Sequence, residues 1–179
     1  MEMDVLILYG SSEGQTEKIS ERIAGVIRNR DHQVTVRSAD QLPADFTLDN
    51  YDAAIIGAPI HMGKYPQYVK KFVTSQRDWL NNVPSAFFTV CMAVNSRHEK
   101  SRQEAMHYGD NFTAGSGWQP VLTETFAGAV KYTQYNLVTR LIMKWIARRE
   151  GGSTDTSRDH EYTDWASVDR FAENFITAC

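Results

Sequence analysis

Short apolar runs that recur between helical stretches narrow the folds open to this chain more than any other feature. Leu6-Ile7-Leu8-Tyr9, Ala53–Pro59, Pro84–Cys91 and Pro120–Phe126 are each of strand length, and Gln33–Arg37 alternates as a further short strand. Between them, Thr16–Arg30 carries Ile19, Ile23, Ala24 and Ile27 at helical spacing. Helices are also predicted over about Pro66–Trp79, Glu99–Phe112 and Trp165–Thr177. Strands without a polar face, alternating with helices, imply an α/β protein: a doubly wound five-stranded parallel sheet covered on both sides. With sheet order 2-1-3-4-5, the loops after the first, third and fourth strands meet at one edge, around the crevice where the strand order reverses.

The first of those loops has the composition of an anion site. Leu6–Tyr9 runs into Gly10-Ser11-Ser12-Glu13-Gly14-Gln15-Thr16 just before a helical pattern begins. Hydroxyls on Ser11, Ser12 and Thr16, with the backbone N–H groups of a helix start, are suited to converge on one anion. A simple capped turn needs a single hydroxyl. The loop has no lysine and fits neither GxxxxGK[ST] nor GxGxxG, which excludes a nucleoside-triphosphate loop and a dinucleotide fingerprint. A monophosphate cradle of neutral donors remains.

At 179 residues the chain is of single-domain size, and its net charge of −3 gives no general attraction to nucleic acid. Cys91, inside an apolar run, and Cys179, at the end, form neither a disulfide framework nor a metal cluster, which suits a reducing cytoplasm. The N-terminus enters a strand almost at once, and no apolar run approaches the roughly 20 residues that span a bilayer. A soluble or peripheral protein is expected.

One connection is too long. From residue 127 to 164, between the fifth strand and the last helix, the chain is far longer than the handful of residues a plain connection needs. Within it, Leu137, Val138, Leu141, Ile142, Trp145 and Ile146 fall on one side of a predicted helix over Leu137–Arg149. Arg140, Lys144 and Arg148 repeat every four residues on another. By pattern alone the apolar side either packs on the protein's own core or meets a membrane surface or a hydrophobic ligand.

The segment Ile7–Thr16 resembles the flavodoxin signature, whose hydroxyl-rich loop holds the phosphate of flavin mononucleotide (FMN). Gly57-Ala58-Pro59-Ile60-His61-Met62-Gly63-Lys64-Tyr65 is similar to the second flavin loop, and Pro84–Phe88 to the strand that leads to the third. Phe126–Tyr132, Leu141–Lys144, Gly151–Thr156 and Tyr162-Thr163-Asp164-Trp165 together resemble the bacterial menaquinone-dependent protoporphyrinogen oxidase family. That resemblance covers essentially the whole chain. It implies one flavodoxin-like domain over 1–179 with an insertion at about 127–158.

The resemblance further implies FMN-dependent oxidation of protoporphyrinogen IX to protoporphyrin IX in haem biosynthesis. A membrane quinone, menaquinone or ubiquinone, would be the acceptor, with peripheral contact at the cytoplasmic face of the inner membrane. Ser11, Ser12, Glu13, Gly14, Gln15 and Thr16 would then hold the phosphate. Pro59, Ile60, His61, Met62, Gly63 and Tyr65 would meet the ring, with the Gly63 backbone facing flavin N5. His61 and Tyr65 either flank the ring or are surface loop side chains. Ala93, Val94, Asn95 and Ser96 would form the third loop, Asn95 and Ser96 hydrogen-bonding the pyrimidine edge. Lys131, Arg140, Lys144, Trp145 and Arg148 would contact membrane or substrate. No metal ligand set and no catalytic side chain is assigned. Two other readings share the fold: a flavodoxin-type electron carrier and an NAD(P)H-dependent quinone reductase.

Overall fold

In a β-strand successive side chains point to opposite faces, so an apolar run of consecutive residues demands cover on both. The computed structural model, which describes residues 2–179, supplies it. In chain order the elements are β1 (Asp4–Tyr9), α1 (Gln15–Arg28), β2 (Gln33–Ser38), β3 (Ala53–Pro59), α2 (Gln67–Ser75) and α3 (Arg77–Asn82). They continue with β4 (Ser85–Val90), α4 (Glu99–Ser116), β5 (Leu122–Phe126), β6 (Ala129–Val130), α5 (Leu137–Glu150), β7 (His160–Glu161) and α6 (Trp165–Ala178). The main sheet is parallel throughout, in the order β2-β1-β3-β4-β5.

Alternate residues of β1 serve the two layers. Val5 and Ile7 join Ile19, Ile23 and Ile27 of α1 and Val168, Phe171 and Phe175 of α6 in one core. Leu6 and Leu8 turn the other way, onto Val69, Phe72 and Val73 of α2, Leu80 of α3 and Trp118. β3 and β4, in the middle of the sheet, are buried along their whole length, whereas β2 at the edge is only partly covered.

Two helices differ from their sequence expectation. The stretch read as one helix over Pro66–Trp79 breaks at Gln76, whose φ of −107° and ψ of 13° leave helical space. There the Ser75 hydroxyl donates to the Phe72 carbonyl, a local bond that competes with helical continuation. α4 runs on past Phe112 to Ser116 and ends at Gly117, whose φ of 72° is a left-handed helix stop.

The β5–α6 connection has structure of its own. β6 and β7 pair antiparallel, α5 lies between them in sequence, and Val130, Tyr132 and Ala147 form a small third core with Met92, Met143 and Tyr162 against it. Among the described residues no helix is long and apolar enough to cross a membrane.

Candidate functional site

Because every strand of the main sheet points the same way, the exits of β1, β3 and β4 share one edge, and the order reverses between β1 and β3. The first exit is the hydroxyl-rich loop. Its N-cap residue, Gly14, brings no side chain to the start of α1, so the first-turn N–H groups receive no side-chain cap. The Ser11 hydroxyl oxygen accepts the Gly14 N–H at 3.0 Å, folding the loop back on itself. Thr16 and Gln15 are buried, Ser11 is half-buried and Ser12 is exposed. The helix N-terminus and its neutral donors suit a phosphate monoester.

Gln15 adds a second sign of fit. Its amide nitrogen donates to Thr163 Oγ1 at 2.9 Å, while its Oε1 is buried without a protein partner. An orphaned buried acceptor costs about 1–3 kcal/mol, which a hydroxyl of a bound ligand would relieve. The donor set and this orphan fit a phosphorylated polyol chain.

The second loop is a tight hairpin. His61 and Lys64 exchange backbone hydrogen bonds, both at 3.0 Å, around Met62 and Gly63, whose φ angles are 50° and 74°. Two successive positive φ values define the type I′ geometry, comfortable for Gly63 and strained for Met62. Met62 is 99% exposed and His61 is exposed beside it; Ile60 is half-buried and Pro59 buried at the strand end. Tyr65, expected either to flank the ring or to lie on the surface, is buried. Its hydroxyl is 2.7 Å from Thr89 Oγ1 and its ring packs on Phe87 and Phe112. Burial pushes its phenol far above the ordinary value, so it is a neutral pillar beneath the loop.

The third loop leaves β4 as a 3-10 turn over Met92–Asn95, with Ala93 and Val94 half-buried and Asn95 exposed. Ser96 departs from its expected role. It is 2% exposed and its hydroxyl donates to the Glu150 carboxylate at the end of α5, so it fastens the connection instead of offering a free donor. The Arg97 N–H donates to the Glu150 carbonyl at 3.0 Å and reinforces the tie. Burial also raises the Cys91 thiol, which keeps it protonated and inert.

A cavity of about 580 Å³ opens between the second and third loops and under α5. Met62, Met92, Met143 and Ile146 give it an apolar lining, with Tyr108 and Glu150 as polar groups at its wall. That volume suits a flat aromatic ligand. Met92, Met143, Tyr108 and Glu150 escaped the sequence reading, since only the fold brings α4 and α5 over the third loop.

The connection also grips the first loop. Tyr135 donates its hydroxyl to Glu13 at 2.8 Å, and Lys18 pairs with Glu161 at 2.5 Å. Burial, then the bond to Glu13, pushes the Tyr135 phenol upward. On α5, Leu137, Val138, Leu141, Ile142 and Trp145 are all more than half exposed. The apolar side therefore does not pack on the protein's own core. Instead Met143 and Ala147 turn inward. The basic row divides as well: Arg140 donates to the carbonyls of Tyr132 and Tyr135, at 3.1 and 3.3 Å, and serves the local turn. Lys144 and Arg148 are exposed, the Arg149 guanidinium lies 5.9 Å from the Trp145 ring, and Lys131 is half-buried.

A doubly wound 2-1-3-4-5 sheet with a hydroxyl-lined loop at the β1 exit is the architecture of a flavodoxin-like protein. Comparison with known proteins agrees and goes further. The family model described as "Flavodoxin domain" matches residues 6–157. The oxidised flavodoxin 1 of Bacillus cereus superposes with a TM-score of 0.59, at 19% identity over 98% of this chain and 99% of its own. The flavodoxin of Streptococcus pneumoniae TIGR4 gives 0.57 at 16% identity, covering 98% and 99%. Protoporphyrinogen IX dehydrogenase [quinone] of Escherichia coli K12 is 34% identical over 170 residues, 95% of this chain and 93% of its own. The Leishmania major protein of the same name is 31% identical over 174 residues, covering 95% and 73%. The chain belongs to the flavodoxin-domain family and, within it, to the oxidoreductase family of the quinone-dependent protoporphyrinogen IX dehydrogenases. A flavin is the cofactor that membership implies.

Proposed function

We propose that the protein oxidises protoporphyrinogen IX to protoporphyrin IX through FMN and passes the electrons to a membrane quinone, menaquinone or ubiquinone, in haem biosynthesis. The observation that carries the reading is the cavity between the second and third loops, walled by α5 and set at the same sheet edge as the anion cradle. FMN, when bound, supplies the redox chemistry, taking hydrogen equivalents from the substrate and yielding them to the quinone. The residues of this chain bind and orient. Ser11, Ser12, Thr16 and the α1 N-terminus hold a terminal phosphate with neutral donors. The Met62–Gly63 turn offers its peptide groups to the ring edge, and Asn95 is free to donate at the third loop. Met92, Met143 and Ile146 exclude water from the ring face.

The exposed apolar side of α5 supports a further part of the reading, peripheral contact at the cytoplasmic face of the inner membrane. Trp145 and its apolar neighbours would enter the lipid boundary while Lys144 and Arg148 meet anionic headgroups.

The test is anaerobic mixing of the FMN-loaded protein with protoporphyrinogen IX, then with a menaquinone analogue. Flavin absorbance should bleach on the first addition and recover on the second, and NADPH in place of the porphyrinogen should leave it unchanged. Bleaching by NADPH alone would establish a quinone reductase instead. Released cofactor identified as FAD by mass spectrometry would refute the monophosphate assignment.

A further inference from the structure

The first loop contains a competitor for its own ligand: Glu13, expected among the residues that hold the phosphate, can serve it only through its backbone N–H, because its side chain is a carboxylate. Glu13 is the residue before the N-cap of α1, whose first-turn N–H groups have no side-chain cap. A carboxylate so close to a helix N-terminus is attracted by the same partial positive charge that attracts a phosphate. The loop has no basic side chain to tip the contest, and the Lys18 ammonium, in the first turn of α1, is engaged with Glu161. Left free, Glu13 would cap the helix itself, and its charge would repel a dianion.

Tyr135 prevents this. Its hydroxyl donates to Glu13 Oε2 at 2.8 Å and accepts the Lys131 N–H at 3.4 Å, so both its donor and its acceptor are committed. Its ring is fixed edge-on against Tyr132, at 6.3 Å and 80°, and its carbonyl receives the Arg140 guanidinium. Tyr132 is itself anchored by its hydroxyl to the Ser153 carbonyl at 2.9 Å. The tyrosine is built into the connection. Two more ties fix the same approach: Gln15 to Thr163 at 2.9 Å, and Thr163 in turn to the Ala127 carbonyl at 2.7 Å.

We propose that Tyr135 is a positioning residue for cofactor capture: from the β5–α6 connection it holds the Glu13 carboxylate away from the α1 N-terminus, so that a closed connection leaves the cradle open to the phosphate. Cofactor retention and closure of the cavity wall are then linked, since the same connection carries α5. Phosphate binding, which needs Glu13 withdrawn, favours the closed connection in return. The inference rests on the FMN reading above.

The experiment titrates apoprotein with FMN and with riboflavin, which lacks the phosphate, following quenching of flavin fluorescence. The wild-type protein should prefer FMN strongly. Tyr135→Phe keeps the ring and removes the donor, and FMN affinity should fall by roughly tenfold to a hundredfold, the range for a lost hydrogen bond to a charged group. Riboflavin affinity should fall far less, because it has no phosphate for Glu13 to compete with. Adding Glu13→Ala to that variant removes the competing carboxylate, keeps the loop backbone, and should restore FMN affinity. Unchanged FMN affinity in Tyr135→Phe would overturn the proposal, as would an equal loss for FMN and riboflavin or a double variant that stays weak. If the wild-type protein bound riboflavin as tightly as FMN, the phosphate assignment itself would fail, and that is read before any substitution is made.

Discussion

Val5–Leu8 and one side of α5 are both apolar, yet the first has no exposed surface at all and the second keeps Leu137 75% and Trp145 62% exposed. The difference lies in what holds each in place. β1 is fixed by burial on both faces, Ile7 against α1 and α6 and Leu8 against α2. α5 rests on a small core of Val130, Tyr132 and Ala147 and is otherwise held by polar ties at its two ends: Tyr135 to Glu13 at the first loop, Glu150 to Ser96 and Arg97 at the third. Burial produces a rigid platform, whereas a few polar ties produce an element that can respond to what occupies the loops it grips.

The largest effect should come from the platform. Phe87 is fully buried, with its ring against Tyr65, Phe112 and Trp118, and Phe87→Ala should cost about 3–5 kcal/mol in urea unfolding through lost burial and a cavity. A loss below about 1 kcal/mol would break the contrast, because the sheet would then tolerate a void as readily as the connection does.

Next in size are the hydroxyls of the cradle. Ser11→Ala and Thr16→Ala should each weaken FMN binding by roughly 1–3 kcal/mol, the range for hydrogen bonds to a charged group, with little change in the unfolding midpoint of the apoprotein. Calorimetric titration with FMN separates the two quantities. Equal affinity in both variants would return these side chains to a structural role.

How far the sequence reached follows the same division. The strands of the sheet and their burial were legible because they follow from runs such as Ala53–Pro59, in which every residue is apolar and every residue is buried. The first loop could be singled out as a candidate because its hydroxyls lie within a few residues of one another. What escaped depends on contacts distant in sequence. Tyr65 sits in the middle of a loop pattern, and Thr89, Phe87 and Phe112 across the core draw it inward. Ser96 resembles a free donor until Glu150 arrives from the end of α5. Arg140 fits a basic stripe by spacing, yet the carbonyls of Tyr132 and Tyr135 lie within its reach. Helical periodicity announced the apolar side of α5 but carried no information about what faces it.

That side gives a smaller effect. Lys144→Glu and Arg148→Glu should weaken binding to anionic liposomes by about 1 kcal/mol per basic residue lost, roughly fivefold each, and more as the reversed charges repel. Sedimentation with vesicles rich in anionic lipid reads this directly. Binding equal to wild type would leave the exposed side of α5 without a lipid role and sharpen the case for the ends of the helix as its functional part.

The smallest effect tests whether polar ties matter on the platform as well. Arg22 of α1 and Asp169 of α6 form a two-pronged pair, Nε to Oδ1 and Nη2 to Oδ2, both at 2.7 Å. The pair joins two helices that already share the Ile19, Ile23 and Phe171 core. The hydrogen bonds and charge of Arg22 hold the Asp169 carboxyl below its ordinary value. A folded-state value depressed below the unfolded one contributes stability that is complete above the ordinary carboxylate range, about pH 4, and is lost as pH falls through the folded-state value. Asp169→Asn should therefore lower the thermal midpoint at neutral pH by no more than about 2 °C, because both side chains reach solvent and burial does most of the joining. In acid, where Asp169 is protonated in the wild type, the two melting curves should converge. A larger loss that persisted at low pH would mean that the α1–α6 contact, like the connection, depends on its polar ties.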